Sequence, residues 1–157
     1  MTTATEPLYI ELKTDVAALV EPLFELAENS LRKRGNFLPF AALLTESCEF
    51  RLVAAVPDSE NDMTNSVEVL PVLHDAIRTA ARELPTKAIG IAENVTITLD
   101  ERRTTDAIKV LFEHRHGHNV ALYLPFEKNL VQEFVFQAVF MLAAEPEVNA
   151  WTATFNS

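Results

Sequence analysis

DAIKVLFEHRHGHNVALYLPF, Asp106 to Phe126, carries the clearest strand pattern in the chain. Ile108, Val110 and Phe112 alternate with Lys109, Leu111 and Glu113. Beyond His116-Gly117-His118-Asn119, the residues Val120, Leu122 and Leu124 alternate with Ala121, Tyr123 and Pro125. Side chains on a strand point to its two faces in turn, so period-two alternation on both sides of a Gly/Asn break predicts an antiparallel hairpin. Three of the four histidines stand at that break.

Upstream, Thr86 to Leu99 reads as a long strand, with Ile89, Ile91, Val95, Ile97 and Leu99 on one parity. An interruption at Glu93-Asn94 suggests a bulge. Asp100 to Thr105 is a charged turn. Val69, Leu70, Leu73, Ile77, Ala80, Ala81 and Leu84 recur at helical spacing after the capping residue Ser66, and Pro85 ends that helix. Pro57 to Asn65, PDSENDMTN, is a polar connector. Its alternating acids lack the glycine and terminal Glu of a calcium loop.

Further back, Glu49 to Val56 and Asn36 to Thr45 form a second strand pair. Pro39 places the latter at an edge or marks its start. Val16, Leu19, Val20, Leu23, Leu26, Ala27 and Leu31 predict a helix from Thr14 or Asp15, either of which can cap it, to Gly35. Pro22 predicts a kink there, or a start near Glu21. Residues 1–13 read as an N-terminal arm and 14–157 as one domain.

Downstream, Leu130 to Ala144 fits both periods, and its aromatic and β-branched content favours a strand. As a strand it sets Phe134, Phe136 and Phe140 on one side and Val135, Val139 and Met141 on the other. Trp151 and Phe155 predict a docked tail. The order α-β-β-α-β-β-β-(β) predicts an α+β fold: an antiparallel sheet of five to six strands with two helices packed on one face.

The 157 residues suffice for a buried core, and 48% of them are hydrophobic. No apolar run is long enough to span a membrane and the start lacks a signal-peptide pattern, so the expectation is a cytoplasmic protein with no membrane partner. With 13 basic residues against 23 acidic ones and a net charge of −10, nucleic-acid binding is not expected. The single Cys48 excludes an internal disulfide. Only three glycines occur, and none are clustered into a phosphate loop, so no nucleotide cofactor is implied.

Candidate chemistry centres on His114, His116 and His118. On an unbroken strand, residues two apart share a face, and three imidazoles with an open position make a catalytic zinc pattern. The turn at Gly117 works against it by splaying the rings. Glu113 and His114 are neighbours and should face opposite ways. Cys48 lies in or beside a tight turn, away from any nucleophile signature, and Ser47 and Ser66 lack an elbow context. His74 reads as half-buried packing.

GNFLPFAALL, FRLVAAVPD, AIGIAENVTI and TDAIKVLFEHRHGHNVALYLPF together resemble a family of small bacterial proteins of no established function, over residues 35 to 126. The words that carry the likeness are structural, so it implies no catalytic or cofactor-binding residue. The element order is also similar to profilin-like and roadblock-type modules and to small acidic secretion chaperones, likenesses of fold alone. The reading is a non-catalytic binding module acting as a homodimer, with protein as a further partner. The alternative is a metal-dependent enzyme or metal-binding protein using His114, His116 and His118.

Overall fold

The computed structural model describes residues 5–53, 66–131, 133–148 and 150. The connector 57–65 and the anchors Trp151 and Phe155 lie outside the described residues. Helix α1 spans Thr5–Arg34, followed by strands β1 (Phe40–Thr45) and β2 (Phe50–Val53), helix α2 (Ser66–Glu83), and strands β3 (Thr86–Asp100), β4 (Arg103–His114), β5 (Asn119–Lys128), β6 (Phe134–Phe136) and β7 (Phe140–Ala143). The strands form one antiparallel sheet in the order β2-β1-β3-β4-β5-β6, with β7 also on β5. The α+β class is that expected, and so is the element order as far as β6. Among the described residues, no helix is long and apolar enough to cross a membrane.

The two helices do not share a face. The β1 residues Ala42 and Leu44 pack with Leu19, Leu23 and Leu31 of α1, whereas Ala41 and Leu43 pack with Leu73 and Ile77 of α2. Alternate residues of one strand point to opposite faces, so α1 and α2 cover opposite sides. The reason is compositional: β1 and β3 are apolar on both parities, and each parity needs its own cover. Ile108, Val110, Phe112, Leu122 and Leu124 are therefore buried as expected, but under α1 rather than against α2. The helix also sits close. A Cβ on Gly90 would lie 2.7 Å from Leu23 Cδ1, so glycine is what lets α1 approach β3.

Three other expectations change. Residues 5–13, expected in a loose arm, belong to α1, which runs unbroken through Pro22. The β3–β4 register passes Glu93 and Asn94 without a shift and slips only between Thr98 and Asp100, so no bulge lies at 93–94. Among the described residues the sheet has seven strands rather than five or six, because the last segment is divided. Phe136 pairs with Phe126, but Met141 rather than Phe140 pairs with Leu122. One extra residue thus enters across 137–139, as in a bulge. The parity flips there: Phe134 and Phe136 pack on the α1 side, while Phe140 stacks on Tyr123 at 5.2 Å on the other.

Candidate functional site

The β4–β5 turn closes as the sequence predicts. His114 N donates to His118 O (3.0 Å), and Gly117, at φ +84°, donates its N–H to His114 O (2.8 Å). Positive φ is the conformation a tight hairpin asks of glycine. The three histidines do not converge. His116 and His118 are exposed, whereas His114 is buried and turned under α1 beside Phe112. The His114 and His116 rings stack at 4.9 Å. Glu113 points the other way, as neighbours on a strand must.

His114 meets Asp15, which the sequence suggests only as a helix cap, and through it Lys87, which sequence reading did not single out. Its Nε2 lies 2.8 Å from Asp15 Oδ2, and Asp15 Oδ1 lies 2.9 Å from Lys87 Nζ. Asp15 is only 1% exposed. It does not cap α1, which begins ten residues earlier, at Thr5. Glu11, Asp15, Leu19 and Leu23 recur every fourth residue, so once the helix extends upstream Asp15 falls on its core-facing stripe. That spacing was the available signal.

Lys87 is placed by a bulge. Leu44 pairs with Ala88 but Thr45 with Thr86, leaving Lys87 as the extra residue. Bulges re-aim side chains, and this one brings Lys87 to α1 although Ile89 and Ile91 face α2. Burial opposes the Lys87 charge, but the side chains of Asp15 and Cys48 outweigh it and hold its pKa above the usual value. The ammonium neutralises Asp15 by proximity, without a well-aligned N–H on Oδ1. Cys48 is exposed and holds a φ of +68° in the β1–β2 turn.

The hydrogen bonds fix the tautomer of His114. The His116 backbone N–H donates to Nδ1 (3.2 Å), so Nδ1 is the bare nitrogen and Nε2–H donates to Asp15. Both ring nitrogens are engaged, and the side chain is buried. Burial lowers the pKa of His114, and the Asp15 carboxylate offsets this only in part. Protonation would also set a second N–H against the His116 amide.

Glu11, Asp15 and His114 bring one ligand atom each within 4.8 Å of one another, a cation-sized arrangement without His116 or His118. The position is already served: Lys87 stands against Asp15, and Arg115 lies 3.9 Å from Glu11 and 2.6 Å from Glu46. A divalent ion would have to expel the ammonium and take the proton from Nε2. As built, the cluster ties α1, the start of β3 and the end of β4 into one unit.

Its pH dependence has a definite sign. A histidine whose folded pKa lies below its unfolded value of about 6.5 stabilises the fold fully above that value. That share is lost as pH falls from 6.5 through the folded pKa, because the unfolded chain takes up the proton first. Urea midpoints should therefore fall between pH 7.5 and 5.5, and His114→Gln should flatten that limb while leaving the share of His74, whose pKa burial also lowers. Equal slopes in wild type and variant would contradict the assignment.

Compared with protein-family models, with curated proteins and with solved structures, the chain matches none.

Proposed function

We propose that the protein is a non-catalytic interaction module that acts as a homodimer joined along the outer edge of β6 and β7. The observation that carries this is β7: Phe140, Met141 and Leu142 are 39%, 56% and 54% exposed, although all three are large and apolar. Proteins guard free strand edges with charges, prolines or a covering element. Residues 134–144, FVFQAVFMLAA, contain no charge and no proline, while Glu133 and Glu145 flank them. At a net charge of −10, this uncharged strip is where two copies meet without opposing acids. A strand edge paired antiparallel with its own copy is self-complementary about a two-fold axis.

The buried Asp15–His114 pair supports the non-catalytic half of the reading, since neither imidazole nitrogen is left for a substrate. The expected result is that Val139→Asp, at a position 47% exposed, gives a monomer in sedimentation while the thermal transition stays cooperative. A Val139→Asp protein that sediments like wild type as a dimer removes this edge from the proposal.

A further inference from the structure

The groove between α2 and strands β3–β4 is filled by the chain's own residues 145–148 and Ala150, and the manner of filling is that of a bound peptide. Val148 and Ala150, two apart, both sink into the apolar cluster of Leu73, Ile77, Ile89 and Ile91. The backbone is read by side chains. Glu113 Oε2 accepts from Glu147 N (2.7 Å) and Val148 N (2.9 Å), and Arg78 Nε donates to Val148 O (2.7 Å). Lys109 Nζ lies 3.4 Å from the Glu147 carboxylate. Main-chain polar contacts with pockets for alternate side chains are how grooves recognise extended segments.

Two features make the occupant exchangeable. No described residue from 145 to 150 belongs to a strand, so its departure breaks no ladder. The resident segment is also an incomplete ligand. His74 Nε2 is buried without a hydrogen-bond partner among the described residues, and His74 lies among Arg78, Glu147 and Glu113, whose charges it feels. A buried polar atom left unsatisfied is costly, and an incoming segment that reaches it gains what the tail forgoes.

We propose that this groove docks an extended segment of a partner protein, and that residues 145–148 with Ala150 are its resident stand-in. The segment is defined by chemistry: an acidic residue for Lys109, two successive free N–H groups for Glu113, a valine-sized side chain next, a small one two further on, and a hydroxyl or amide for His74. This proposal stands apart from self-association at β7.

The test uses the full chain and a labelled peptide, Ala-Glu-Pro-Glu-Val-Asn-Ala, copied from residues 144–150. Val148→Asp should expel the tail, since aspartate cannot sit in that apolar cluster beside Glu113. The folded variant should then bind the peptide at least about tenfold more tightly than wild type, and adding Glu113→Gln should abolish the gain. A folded Val148→Asp protein that binds no more tightly overturns the proposal. So does a mixed dimer of Val148→Asp and Glu113→Lys copies that resists excess peptide, which assigns the groove to a second copy's tail. If Val148→Asp does not fold, hydrogen exchange on wild type decides. The amides of Glu147 and Val148 should exchange at least about a hundredfold faster than those of β4, and equal protection overturns the proposal.

Discussion

Replacing Asp15 with alanine is expected to destabilise the protein by about 3–5 kcal/mol, the cost of leaving a buried charge without its partner. Two groups are orphaned at once. Lys87 Nζ loses the carboxylate 2.9 Å away, on a side chain only 9% exposed. His114 Nε2–H loses its acceptor at 2.8 Å. The pair need not be a net source of stability. Apolar replacement of both members of a buried ion pair is often neutral, so Asp15→Leu combined with Lys87→Met should recover much of the loss. Urea unfolding of the two variants checks both statements. A loss below about 1 kcal/mol in Asp15→Ala would mean that water reaches the cluster and solvates Lys87.

Truncating Phe112 to alanine is the second large effect, at about 3–5 kcal/mol. The ring is fully buried between α1 and the sheet and stacks on His114 at 6.0 Å. Helix above and sheet below are both fixed, so the cavity has little means of collapse. At about 2–4 °C per kcal/mol for a chain of this size, the midpoint should fall by about 6–20 °C. The loss combines the missing apolar burial with the void. A loss under about 1 kcal/mol would show that the α1 face is not the principal core.

What could be read in the sequence was what periodicity reports. The 106–126 hairpin, its turn at Gly117, the span of α2 and the start of β1 just after Pro39 all follow from local pattern. The side of the sheet taken by each helix does not. Ala42 and Leu44 are no more apolar than Ala41 and Leu43, and nothing local assigns one parity to α1 and the other to α2. Two of the strand irregularities were also hidden, and each moved a side chain that matters. The one at Lys87 delivers its ammonium to Asp15; the one across 137–139 turns Phe140 away from Phe134 and Phe136. Asp15 reads as a helix cap only where the helix is taken to begin beside it, and α1 begins at Thr5. The histidine triplet misled for the opposite reason: even spacing along the chain does not survive a turn, and only His114 enters the core.

Self-association through the unguarded strand edge is decided by light scattering on the wild-type protein over a range of micromolar concentrations. The expected particle is twice 17.5 kDa, with a mass that falls on dilution as the copies separate. A mass that stays at 17.5 kDa at every concentration would contradict it and would mean that the edge formed by β6 and β7 is not a contact between copies.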